Sequence, residues 1–416
     1  LTALATGIPL AGVVPTMTDG FGSTLASVAL LVGLGAMLGR LVENSGGAQS
    51  LAELLVRKFG EKRAPFALGV ASLLMGFPIF FDAGLIVMLP VIFAVARRLD
   101  GPILAYGIPA AGAFSVTHVF LPPHPGPVAA AEFYNADIGL ILLFGLLIAL
   151  PTWYISGYVW GQFLGCKFPL PVPDLLLGAR SEAPKNPAGA GSVATILLLP
   201  MLLIFGNTGA NTAATAGWID GDSGLVQFLR FLGQTPIALL ITAFAAIAVL
   251  GLRRGVSREA IEKSMDGALG PICSVVLITG AGGMFGGVLR TSGIGDALAE
   301  SMEGMGIPLI LAAYLIAAAL RVAQGSATVA LTTAAALMAP GVAAADYSEV
   351  ALALIVLATA AGSVIASHVN DSGFWLVGRL MGMDTATTLK TWTVNQTLIS
   401  VIGFALVMVI YGVSAL

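Results

Sequence analysis

The sequence predicts an all-α polytopic membrane protein built from two inverted-topology repeats, each with a re-entrant hairpin and a broken helix. Three observations predict it: an apolar composition, a one-sided distribution of Lys and Arg, and an internal repeat in which helix-breaking segments recur at matching places. Of the 416 residues, 57% are hydrophobic and 10% charged, with a mean hydropathy of +0.95. A soluble domain carries about 25% charged residues, and the longer apolar runs reach the ~20 residues that cross a bilayer. The lipid bilayer is therefore the main partner, and no nucleic acid is expected. Net charge is −3, which says nothing about partners. Cys166 and Cys273 have neither metal spacing nor a disulfide framework, and read as two small buried hydrophobes.

Residues 1–14 read as a spanning helix, or the remnant of one whose natural start is missing, closed by Pro15 and Asp19-Gly20. Residues 24–42 span next, and 51–59 form a short amphipathic piece leading to Arg57, Lys58, Lys62 and Arg63. The apolar stretch 65–96 ends at Arg97-Arg98 and is interrupted at FPIFFDAG, residues 77–84. Lys/Arg clusters flank both ends, so the positive-inside rule puts both ends in the cytoplasm. At ~1.5 Å per residue the two arms are too short for full crossings. The segment reads as an inward-opening re-entrant hairpin.

A broken helix follows over 103–134. Its break, SVTHVFLPPHPGP at 115–127, holds four prolines that remove backbone donors and fix φ. Irregular backbone at membrane depth is tolerated only against protein or a water-filled cavity. Residues 138–164 return to the cytoplasm, completing a first repeat over 1–166, and 167–191 form a cytoplasmic linker rich in Pro, Gly and mixed charge. The second repeat, 192–416, opens with a crossing at 192–205, a polar outer loop at 207–234 and a return at 236–252.

The repeat lies in ordered matches. Met37-Leu38-Gly39 through Leu51-Ala52-Glu53 matches Met284-Phe285-Gly286 through Leu298-Ala299-Glu300. The FPIFFDAG segment falls opposite LRVAQGSA, and Thr117-His118-Val119 opposite Ser367-His368-Val369. The second hairpin, 308–340, is flanked by Glu303, Asp346 and Glu349 with no Lys or Arg, so it opens outward; a second broken helix covers 349–380. The halves are thus related by an axis in the membrane plane. All but four of the 19 Lys and Arg residues (Arg40, Arg230, Arg290 and Arg321) then lie on cytoplasmic loops.

Four interruptions at depth, converging, form a polar pocket of main chain, hydroxyls and amides suited to a small, hydroxylated, anionic solute. Asp82 sits mid-hairpin, where a bare carboxylate is costly, and so reads as a proton-coupling residue; the alternative is a structural carboxylate paired with Arg321 or backbone amides. Arg321 either holds a substrate carboxylate bidentately or is a permanent structural partner. His118, His124 and His368, the only histidines, all fall in the two unwound segments; they read as structural hydrogen-bonders or proton carriers, His118 being the second proton-coupling candidate. No metal site is expected, and no cofactor beyond the coupling ion. Ser115, Thr117, Gln324, Gly325, Ser326, Thr328, Asn370, Asp371 and Ser372 complete the candidate substrate-binding set, with helix capping the competing role for several of them. Gly33, Gly35, Gly39 and Gly282-Gly283 lie on apolar helices, where small residues mean close packing and not a phosphate loop. No nucleophile–base pair or metal set has the spacing of an enzyme.

The segments GAMLGRLVENSGGAQ, FFDAG, THVFLPPHPGP, AQGSATVA and SHVNDSGFW resemble the signature stretches of the gluconate permease (GntP) family, over nearly the whole chain. The resemblance implies a symporter of the bacterial inner membrane that imports gluconate or a related sugar acid with protons. It also implies an elevator-type carrier of the ion-transporter superfamily, a homodimer. In sodium-coupled carboxylate carriers of that superfamily the hairpin tips bear Ser-Asn-Thr; here Asp82-Ala83-Gly84 and Gly325-Ser326-Ala327 stand in those places. An acid at a tip fits protons better than sodium as the coupling ion. Relatives that carry D-serine or glycerate keep other small carboxylates open as substrates, and a passive anion channel is the reading from another class.

Overall fold

The computed structural model describes residues 2–173, 186–215, 217–292 and 308–414, and among these it is all-helical, with no strand. After a single turn at Thr2–Ala5 come α1 (Leu10–Asn44), the amphipathic α2 (Gly47–Phe59), and a helical hairpin of α3 (Ala64–Gly76) and α4 (Phe81–Arg98). The first broken helix is α5 (Ile103–Phe120) with α6 (Pro125–Tyr134). The long α7 (Ile138–Lys167) contains a π-helical turn at Tyr154–Val159. Then follow α8 (Ala190–Thr215), α9 (Gly224–Leu232), α10 (Thr235–Arg254), α11 (Arg258–Asp266) and α12 (Leu269–Thr291). A second hairpin, α13 (Leu309–Gln324) with α14 (Ala327–Ala344), precedes a second broken helix, α15 (Glu349–Ser363) with α16 (Ser372–Leu380). The last helix is α17 (Thr385–Ser414), again with a π-helical turn, at Leu389–Thr393.

Among the described residues, seven helices are long and apolar enough to cross a membrane. Hairpin arm α3 packs on broken helix α5, and its counterpart α13 packs on α15. These two central helices are apolar all round, as buried helices are; every residue of α5 except His118 is buried. The outer helices invert the pattern of a soluble protein. Leu147 and Leu150 on α7, Leu202 on α8, Phe244 on α10 and Val409 on α17 are all exposed, which suits a surface solvated by lipid.

Three expectations change. Pro15 and Asp19-Gly20 do not close a helix, because α1 runs through them. The physical reason is Gly20: a Cβ there would strike the Gly283 carbonyl of α12, so the glycine serves close helix packing and not a turn. The outer loop expected at 207–234 is partly helical, since α8 continues to Thr215 and α9 follows. Asn211 donates to Asn207 Oδ1 at 2.9 Å and Thr212 to the Thr208 carbonyl at 2.9 Å, so these polar side chains are satisfied along the helix itself. Cys166 and Cys273 are free thiols on exposed helix faces, not buried ones; a side chain this small forfeits little by staying outside the core. The repeat partner at Leu298-Ala299-Glu300, Glu303, and linker residues Arg180 and Lys185 lie outside the described residues.

Candidate functional site

Three of the four interruptions break a helix at a Pro or Gly. Between α3 and α4 the chain turns at 77–80, where Pro78 lacks a donor. Between α5 and α6 the break is confined to 121–124, through Pro122 and Pro123: residues 115–120 with His118, expected to be unwound, stay helical, and Pro125 already opens α6, since a helix's first turn tolerates the missing donor. Gly325, at φ +81°, turns the chain from α13 to α14, and a Cβ there would run into the Asn370 carbonyl. Residues 364–371 link α15 to α16, with Ala366 at φ +49°. Both hairpin turns and the second break contribute to one cavity of ≈ 180 Å³, which the first broken helix reaches through Ser115, His118 and Val119 of α5 and not through its break. This volume is well below the ~300–1,000 Å³ of pockets for drug-sized ligands, so the cavity suits a small solute.

The cavity wall carries Asp82 from the first hairpin, Ser115 and His118 from the first broken helix, Arg321, Ser326 and Thr328 from the second hairpin, and Asp371 and Ser372 from the second break. Three helices begin at this wall: α4 at Phe81, α14 at Ala327 and α16 at Ser372. The first-turn amides of a helix have no partner within it, and their partial positive charge favours an anion. Two of the three starts are capped, Ser326 accepting from Val329 N at 3.4 Å and Asp371 accepting from Gly373 N at 2.9 Å. The start of α4 has no side-chain cap.

Arg321 is buried and held on both forks. Nη1 donates to the Gly325 carbonyl and Nη2 to Asp371, which also accepts from Ser367 Oγ. Only its Nε is buried without a partner. Asp82, by contrast, is exposed to the cavity, and among the described residues its carboxylate has no hydrogen bond or ion pair. It lies within electrostatic range of Asp371. His118 Nε2 meets Thr328 Oγ1 at 3.2 Å, linking the two halves of the chain, and its Nδ1 is buried without a partner.

The remaining sequence-selected residues do not line the cavity. Thr117 turns its hydroxyl back to the Ala113 and Phe114 carbonyls, both at 3.0 Å. His124 Nε2 donates to the Gly76 carbonyl at 2.7 Å, tying the first break to the first hairpin, and its ring lies 4.8 Å from that of His118. His368 Nε2 donates to the Val322 carbonyl at 3.1 Å and Asn370 Nδ2 to the same carbonyl at 2.9 Å, so both hold the end of α13. Gly325 makes the turn itself, and Gln324 is exposed at the end of α13.

Sequence reading missed Phe80, Phe81, Trp392 and Gln396, all of which line the cavity. Phe81 and Trp392 stack with ring centroids 5.6 Å apart, forming an apolar wall. It also missed Ser367, buried behind them, which accepts from Trp392 Nε1 at 3.1 Å. The signal available was Asn395-Gln396, two amides inside the apolar last helix.

The family model described as "GntP family permease" matches residues 1–413. A gluconate permease of Bacillus subtilis (strain 168) is 40% identical over 98% of this chain and 91% of its own. The inner membrane permease YgbN of Escherichia coli (strain K12) is 39% identical over 99% of this chain and 92% of its own. Among solved structures, the Alcanivorax borkumensis YdaH transporter superposes with a TM-score of 0.69 at 16% identity, covering 98% of this chain and 90% of that one. At that identity the likeness concerns the fold.

Proposed function

Because the chain belongs to the GntP family of permeases, we propose that it imports gluconate or a related sugar acid across the bacterial inner membrane together with protons. One observation supports this reading above others: an unpartnered carboxylate, Asp82, shares a small cavity with three helix N-termini. The helix starts favour the substrate carboxylate, and the hydroxyls of Ser115, Ser326 and Thr328 suit a polyhydroxylated chain. Asp371 already neutralises Arg321. An ionised Asp82 therefore leaves the cavity with a net negative charge, which opposes an anionic solute.

Protonating Asp82 removes that repulsion. Proton and anion then favour each other's binding by the same factor, which is the thermodynamic condition for symport. His118, on the same wall, is the second candidate to handle the proton. Transport in this reading moves the two hairpins and the broken helices as one body against the remaining helices, in an elevator-type homodimer.

The test is uptake into proteoliposomes with pH and sodium gradients imposed separately, across sugar acids, smaller carboxylates and D-serine. Accumulation of a sugar acid driven by an inward proton gradient alone is the expected result. Accumulation driven only by sodium, or electrogenic flux indifferent to pH, overturns it, the latter in favour of a passive anion channel.

A further inference from the structure

We propose that Gln396, with Ser115, reads one particular hydroxyl of the substrate and so sets which hydroxylated acid the cavity prefers; this rests on the sugar-acid reading of that cavity. The argument begins with a main-chain carbonyl. Ser156, in the π-helical turn of α7, has a carbonyl that can only accept, so the Asn395 group facing it at 2.6 Å is the amide Nδ2. Asn395 Oδ1 is thereby turned to Gln396, whose Nε2 donates to it at 3.1 Å. Gln396 Oε1 then faces Ser115 Oγ at 2.9 Å, and the serine must donate. The orientation of both amides follows from this chain of partners and needs no further assumption.

Two groups are left over. One Nε2 hydrogen of Gln396 has no acceptor among the described residues, and Ser115 Oγ retains lone pairs after donating its proton. Both side chains line the cavity although each is almost wholly buried, at 3% and 5% exposure. One donor beside one acceptor is the complement of a single hydroxyl, which both donates and accepts. Trp392, one helical turn before Gln396, stacks on Phe81 and offers the C–H face of the same chain an apolar surface. A site built to hydrogen-bond a hydroxyl rejects the analogue that lacks it, because its own buried groups are then left unpaired.

The experiment is competition against labelled gluconate by the series of monodeoxygluconates, in proteoliposomes containing wild type, Gln396→Met or Ser115→Ala. In the wild type, removal of one hydroxyl is expected to weaken competition about tenfold through this pair. In either variant that penalty should vanish, while the penalties at other positions persist. Those persisting penalties also show that the variant is folded. A deoxy profile that is the same in wild type and in both variants overturns the assignment and leaves the sugar-acid reading standing. A wild type that recognises no sugar acid overturns both.

Discussion

Arg321 and Asp371, 50 residues apart in the chain, form an ion pair within the cavity wall, with side-chain exposures of 3% and 14%. The pair joins the tip of the second hairpin to the second break, and it leaves Asp82 as the carboxylate without a counter-charge. Of the roles open to Arg321 on sequence, the geometry favours a permanent partner that holds the hairpin.

Arg321→Met strands Asp371 in the wall and should lower stability by about 3 kcal/mol. Adding Asp371→Leu should recover much of that loss, because the stranded charge goes with it. Unfolding of the detergent-solubilised protein measures both. If Arg321→Met lowers gluconate affinity while leaving stability untouched, the arginine is a substrate ligand.

Asp82→Asn keeps the shape of the cavity and removes the titrating group. Uphill accumulation under a proton gradient should fall to passive equilibration, while counterflow exchange of labelled gluconate continues. Undiminished uphill uptake by the variant would take the coupling role away from Asp82.

Two glycines of the same backbone conformation separate strain from contact. Gly255 has φ +81° with open space around it, and Gly255→Ala should cost about 1 kcal/mol for the left-handed geometry alone. Gly325 has the same φ but faces the Asn370 carbonyl. Gly325→Ala should therefore cost on the order of 3 kcal/mol or more, and abolish uptake, since hairpin and break can no longer approach. Equal losses for the two variants would show that contact with Asn370 does not matter.

At the start of α17, hydrogen bonds from Thr387 hold the Asp384 carboxyl below the usual carboxylate range. A depressed native pKa contributes stability that is present above the unfolded value and lost as pH falls through the native one. Asp384→Ala should therefore lower the melting temperature at pH 7, and the gap to wild type should close on acidification below the ordinary aspartate range. A gap independent of pH would assign the effect to helix propensity instead.

The breaks were legible in the sequence because their causes are local: prolines at 122 and 123, glycine at 325, and charge or amide in apolar runs at Asp82 and Asn370-Asp371. Apolar composition and the Lys/Arg pattern likewise report each segment's own solvent. The same local logic misjudged Gly20 and Asn207, where a residue type common in turns serves a helix contact or bonds along its own helix.

What the amino-acid order determined by itself was the membrane-spanning class, the two related halves, and the set of polar residues carried to depth. Which of those residues face the solute was decided only when the chain folded. Thr117 and His124 turn to backbone carbonyls, Asp371 captures Arg321, and Ser115 meets Gln396 from 281 residues away. The physical reason is that hydropathy and backbone propensity act over one helical turn, whereas a buried donor takes whatever acceptor the packing of distant helices brings within 3 Å.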